Sequence, residues 1–293
     1  MKAWILAARM KTLGASWVPV LATSAWVYRT QSTVSLWVFL CALGSSLAIQ
    51  IATNLFNDAI DFEKGADPVH RLGPKRVTAT GMIPVKKVYR AGFLCVGIAT
   101  LLGVPLVVHG GWPILVLGIT SLALAYGYTG GPFPLAYLGL GDLFVFLFFG
   151  IAAAFGTYFL ETKSSVIPAS VWILASQIGL WATVLIAINN FRDFESDRSN
   201  HKMTLPARFG PTFSRVEITA LLIVPYLLGA YFWGTHENIK AAFLPLLTLP
   251  IAFKIIYSVW SEEPSERFNR LLAMSGAVHM LSGLLLVASF LWK

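Results

Sequence analysis

Nine stretches of this chain are apolar over close to the length a helix needs to cross a bilayer core, about 20 residues. They fall roughly at 13–28, 34–57, 91–108, 112–128, 138–160, 168–190, 216–234, 240–260 and 271–292. Hydrocarbon leaves no water to bond the backbone, so a spanning segment must satisfy its own amides, as a helix or within a closed barrel. These runs are continuous rather than alternating, which selects helices. Composition agrees: 56% of the 293 residues are hydrophobic and 12% charged, about half the charge of a soluble domain. Disorder, a coiled coil, a disulfide scaffold and a water-soluble enzyme are all excluded. Cys41 and Cys95 lie inside apolar runs with no CxxC spacing, as small buried hydrophobes do. The expected fold is an all-α integral membrane protein with nine transmembrane helices, one transmembrane domain over residues 1–293.

The net charge of +8 could suggest nucleic acid in a soluble protein. Here it reads as a topology signal facing anionic lipid, and no nucleic-acid partner is expected. If the N-terminus is cytoplasmic and the loops alternate, 18 of the 22 Lys and Arg residues fall inside. Only Arg29, Lys163, Lys240 and Lys293 remain outside. That asymmetry places the N-terminus in the cytoplasm and the C-terminus outside. Two inner loops, 58–90 and 191–215, are long and polar, and loops of that length in a bundle carry function.

Seven of the 14 acidic residues sit in two clusters within or beside those loops. The first runs Asn54-Leu-Phe-Asn57-Asp58-Ala-Ile-Asp61-Phe-Glu63-Lys64-Gly65-Ala-Asp67. The second runs Asn189-Asn190-Phe-Arg192-Asp193-Phe-Glu195-Ser-Asp197-Arg198. Both contain Asn-x-x-x-Asp, 132 residues apart, a weak internal repeat that points to a site where two halves meet. Spacings of three and four align Gln50, Asn54, Asn57, Asp58 and Asp61 on one helix face, and Asn189, Asp193 and Asp197 on another. Carboxylates crowded at helix C-termini repel one another and oppose the macrodipole, so a cation must compensate. Oxygen ligands without His or Cys suit Mg2+.

Lys64, Arg71, Lys75, Arg76, Arg192, Arg198, Lys202 and Arg208 are interleaved with these acids. Metal-binding acids beside bases form a receptor for a diphosphate. Neither GxxxxGK[ST] nor GxGxxG occurs, so a nucleotide cradle is not supported. A diphosphate at the inner face of a membrane protein suggests a lipid leaving group, and an isoprenoid fits. Its allylic cation would be stabilised by aromatic faces, dense at Phe144, Phe146, Phe148, Phe149, Phe155, Tyr158 and Phe159. The Gly- and Pro-rich connection from Tyr126 to Gly141 cannot be continuous helix and should line a cavity. Asp142, just after it, reads as a helix cap. An ion-coupled transporter remains a competing reading, since intramembrane acids also bind transported ions.

Together these motifs resemble the UbiA-type intramembrane aromatic prenyltransferases. The likeness covers nearly the whole chain and is nearest to the branch acting on 1,4-dihydroxy-2-naphthoate in menaquinone synthesis. It is carried by Ala8-Arg9-Met-Lys11-Thr12-Leu13, by Asn57-Asp58-x-x-Asp61-Phe62-x-Lys64-Gly65-x-Asp67, by Tyr128-Thr-Gly-Gly-Pro-x-Pro-Leu-x-Tyr137-x-Gly-Leu-Gly141-Asp142, by Phe146-x-Phe148-Phe149-Gly150, and by Asn189-Asn190-x-Arg192-Asp193 through Arg198. Met10 stands where that branch carries Pro. The resemblance implies a nine-helix bundle around a central cavity facing the cytoplasm, in the inner membrane. It implies Mg2+ held by Asn57, Asp61, Asn189, Asp193 and Asp197 with Asp58 and Asp67 in support, and Asp61 and Asp193 as catalytic acids. Lys64, Arg198 and Lys202 would hold the diphosphate, with Lys11 and Arg76 near it or near the acceptor's carboxylate, and Tyr128 would face the prenyl cation. The implied partners are a polyprenyl diphosphate, 1,4-dihydroxy-2-naphthoate and membrane lipid, and the implied products demethylmenaquinol, CO2 and diphosphate. Siblings of the family using 4-hydroxybenzoate, homogentisate, a chlorin or haem are the alternatives.

Overall fold

A computed structural model describes residues 2–66, 72–236 and 238–292, with the backbone alone at Lys11. All secondary structure among these residues is helical. The helices are α1 (Lys2–Ala8), α2 (Gly14–Gln31), α3 (Leu36–Glu63), α4 (Val85–Gly110), α5 (Trp112–Gly127), α6 (Gly141–Phe146), α7 (Ala153–Thr162), α8 (Ala169–Ser199), α9 (Leu205–Thr235), α10 (Ile239–Phe243), α11 (Leu249–Ser261) and α12 (Phe268–Leu291). A π turn at Leu147–Ala152 joins α6 to α7, and a 3-10 turn at Leu244–Thr248 joins α10 to α11. Among the described residues, seven units are long and apolar enough to cross a membrane: α3, α4, α6–α7, α8, α9, α10–α11 and α12. The two other expected spans fall on α2, of 18 residues with Pro19 inside it, and α5, of 16.

Where helix and apolar run differ, the reason is local. Both α3 and α8 continue well beyond their apolar stretches into the acidic clusters, because there protein rather than lipid surrounds them: Asp58, Asp61 and Asp197 are all buried. α9 begins eleven residues before the apolar run, broken at Gly210, whose φ of 82° favours glycine. The short α1 carries no apolar run long enough to announce it. Its Ala7 packs with Leu55 and Ala59 of α3 and with Val77, Ile83 and Val88, so the segment after residue 72 folds back against α3.

α8 is the most enclosed of the seven spans and packs on α2, α6–α7, α9 and α12. Against α6–α7 the approach is backbone on backbone: a Cβ on Gly150 would lie 2.7 Å from the Cα of Gly179. Small residues permit such contact between membrane helices, where dispersion and not hydrophobic exclusion holds them together. Trp181 of α8 and Trp233 of α9 head the core, and the Trp233 indole donates to Gln177 at 2.9 Å. These contacts brace α8 more than three turns before Asp193.

Candidate active site

The last two turns of α3 form one wall of the site. Asp61 is buried and accepts from the Tyr137 hydroxyl at 2.9 Å on Oδ1 and from Arg76 at 3.3 Å on Oδ2. Asn57 donates to Thr129 Oγ1 at 3.0 Å and accepts from Arg9 at 2.6 Å. Arg9 reaches it from a left-handed residue (φ 51°) between α1 and the following turn. Asp58 instead engages the returning loop: it accepts from the backbone N–H groups of Val77 and Thr78 at 3.3 and 3.1 Å and from the Thr78 hydroxyl. Lys64 donates to Thr129 O at 2.8 Å and lies 4.1 Å from the centre of the Tyr137 ring, a cation–π contact.

The end of α8 forms the opposite wall. The enclosed Arg192 donates to both oxygens of Asp193, at 2.8 and 2.6 Å, to Asn269 at 2.8 Å and to Asn189 at 2.9 Å. Asn269 in turn donates to Leu72 O at 2.7 Å, tying α12 to the loop of the first wall. Asp197 pairs with Lys202 at 3.7 Å and accepts from Thr204 at 3.4 Å.

Between the walls lies a cavity of about 600 Å3. Asn57, Asp58, Arg76, Tyr128, Asn189, Asp193, Asp197 and Lys202 all line it. Asp61 and Lys64 stand behind that lining, with Asp61 reaching it through Arg76. Arg198 does not join them: its guanidinium donates twice to Ala207 O, at 3.0 and 2.7 Å, and closes the turn into α9. The expected roles of Asp67 and of the Lys11 side chain lie outside the described residues.

A second, largely apolar chamber of about 210 Å3 lies among α2, α3, α4, α5 and α6–α7. Thr53, Tyr128, Val145 and Phe149 line both chambers, so the charged and the apolar space meet at the Tyr128 ring. Gly141 leaves room for its hydroxyl: a Cβ there would sit 2.8 Å from the oxygen.

Residues 16–292 match the UbiA prenyltransferase family. The chain belongs to that family. It is 32% identical to the 1,4-dihydroxy-2-naphthoate octaprenyltransferase of Haemophilus influenzae, covering 97% of this chain and 94% of the relative. To the octaprenyltransferase of the same name from Escherichia coli it is also 32% identical, over 98% and 94%. Its fold is similar to that of a UbiA homolog from Archaeoglobus fulgidus bound to GPP and Mg2+, with a TM-score of 0.66 at 15% identity, covering 98% of this chain and 99% of that one. Membership of a transferase family decides against the transporter reading, and the chain is a multi-span membrane protein.

For this UbiA family member the fit of Mg2+ rests on the donor set. Among the described residues no three acids converge closely enough to cage an ion. Mg2+ does not require a cage: it commonly takes one or two carboxylates and fills its octahedron with water and phosphate oxygens. Oxygen donors on two facing walls suit that sharing. Residues missed by the sequence reading are the positioning ones, Arg9, Thr129, Tyr137 and Asn269. Arg9 and Tyr137 lie in the quoted motifs, but nothing in their spacing distinguishes a base that grips Asn57 from one that sets topology.

Proposed function

We propose that this UbiA family member transfers a polyprenyl chain from its diphosphate to 1,4-dihydroxy-2-naphthoate, releasing diphosphate and CO2 and forming demethylmenaquinol for menaquinone synthesis. The observation that carries this reading is the pairing of chambers, acid- and base-lined on one side of Tyr128 and apolar on the other. The naphthoate acceptor rests on the relatives' activity and on their near full-length similarity. The proposed protein is one domain of nine spans, α2 and α5 completing the set, in the inner membrane. Its N-terminus and active site face the cytoplasm and its C-terminus lies outside, as the 18-to-4 distribution of bases supports.

In this mechanism Asn57, Asn189, Asp193 and Asp197 would hold Mg2+ at the cavity lining, Asp61 would add its charge from behind that lining, and the ion would offset the charge of the departing diphosphate. Arg76 and Lys202 bind phosphate oxygens from the cavity wall, and Lys64 adds positive charge from behind it. Asp58 keeps Arg76 in place by anchoring the loop that bears it, and Arg198 does the same for Lys202 by closing the turn beyond it. Tyr128 presents its face to the allylic carbon as the C–O bond breaks. Most of the rate enhancement is electrostatic stabilisation and positioning.

The test is product mass spectrometry on purified protein given dihydroxynaphthoate and prenyl diphosphates of graded length. Demethylmenaquinol is expected, lost with EDTA and restored by Mg2+. Prenylated 4-hydroxybenzoate in its place would reject the acceptor, and absence of diphosphate release with every acceptor would reject prenyl transfer. A further expectation concerns the tail. Gly118 lines the apolar chamber, and a Cβ there meets nothing within 4 Å. Gly118→Leu should therefore fill space a long tail needs, weakening use of long donors by about 1–3 kcal/mol while short donors react as before. A uniform loss across donor lengths would show that the tail lies elsewhere.

A further inference from the structure

One acid in the cavity wall is left unused by this mechanism. Asp142 is the second residue of α6 and does not cap it: the N-cap position is Leu140 and no side-chain cap hydrogen bond forms. The side chain instead lines the cavity and is only 5% exposed. Its Oδ2 accepts from Asn190 at 3.3 Å, while Oδ1 is enclosed with no hydrogen-bond partner among the described residues. Carboxylate oxygens shut away without a donor are costly, and one kept at a cavity wall suits a ligand that brings the donor.

The surroundings select the kind of donor. Val145 and Phe149, one and two turns further along α6–α7, line both chambers, so Asp142 stands beside the place where they meet. Tyr128, Arg9, Arg76 and Asp58 share the cavity lining with Asp142. Further along the same cavity are Asp193, Asp197 and Lys202. What Oδ1 lacks is a donor, and a ring hydroxyl brings one, while the basic side chains of Arg9 and Arg76 on the same cavity lining offset an acceptor's carboxylate.

We propose that Asp142 is a catalytic residue that binds the aromatic acceptor: Oδ1 accepts a hydrogen bond from the ring hydroxyl next to the attacked carbon and takes its proton as the new bond forms. This rests on the aromatic prenyl transfer proposed above. The O–H bond breaks toward Asp142 and its electron pair becomes a ring C=O. The neighbouring ring carbon bonds to the allylic carbon while the C–O bond to diphosphate breaks. Loss of CO2 returns its bonding pair to the ring, and Asp142 gives the proton back to the oxygen. Asn190 fixes the carboxylate so that Oδ1 faces the acceptor.

Asp142→Asn tests this with 1,4-dihydroxy-2-naphthoate as acceptor and a prenyl thiodiphosphate as an unreactive donor. At neutral pH transfer should fall about a hundredfold or more, with the thiodiphosphate bound as tightly as by the wild type. Transfer by the variant should then recover as pH rises toward ionisation of the acceptor's hydroxyl, because a naphtholate needs no base. Asp142→Glu, which keeps the carboxylate, should restore part of the rate at neutral pH. A rate close to wild type in Asp142→Asn would overturn the assignment. So would a loss that pH does not repair, or one accompanied by weakened donor binding, since a merely structural residue behaves that way. Should the wild type itself prenylate no aromatic acid, the parent reading fails and takes this assignment with it.

Discussion

Asp61→Asn should lower prenyl transfer by about a hundred- to a thousandfold, the usual cost of removing one preorganised charge from a transition state. Asparagine keeps the size of the side chain and can still accept from Tyr137, but it takes one charge out of a buried pair with Arg76, so some loss of melting temperature should accompany the loss of turnover. What disappears is the negative charge opposite Arg76. Asp193→Asn, on the facing wall, should have an effect of the same order, because the proposed mechanism draws on carboxylate charge from both walls. Turnover numbers measured with saturating donor and Mg2+ check this. If either folded variant stayed within about tenfold of wild type, its carboxylate would not be acting in the transition state.

Arg192→Leu is expected to be the most destabilising single change at the site. The guanidinium is fully enclosed and makes four hydrogen bonds, to Asp193, Asn189 and Asn269. Leucine would strand a largely buried carboxylate and two amide oxygens, and breaking a buried pair by removing one partner costs about 3–5 kcal/mol. Arg192→Lys keeps the charge but cannot fork across both carboxylate oxygens, so it should fall between the two. Thermal unfolding in detergent is the measurement. A Leu variant melting like the wild type would mean that the enclosed fork contributes nothing to stability. Because Asn269 also binds Leu72 O, the Leu variant should expose the inner loop to protease even where the bundle survives.

Much of this was legible in the sequence for physical reasons. Apolar runs announce helices because lipid tolerates little else, and the helical period puts Asn57 and Asp61 together, as it does Asp193 and Asp197. Those readings depend only on spacing along one helix. Contacts between helices were another matter. Arg76, Arg198 and Lys202 look alike in the sequence, yet Arg198 turns to the Ala207 carbonyl while the other two line the cavity. Asp58 lies on the same stripe as Asp61 but serves the backbone of Val77 and Thr78. α1 was invisible because seven residues give too little periodicity, and its place is set by Ala7 packing on α3 and by Asn54 donating to Ala8 O at 3.0 Å.

The Tyr128 ring, common to both chambers, sets a fixed reference plane for any donor. If, as proposed, the diphosphate takes the charged side and the tail the apolar side, the same carbon reaches that plane whatever the length of the tail. The residues that measure the tail would then differ from those that break its bond. Substitutions around Gly118 would change the length of the transferred chain while every charge in the reaction stays where it was.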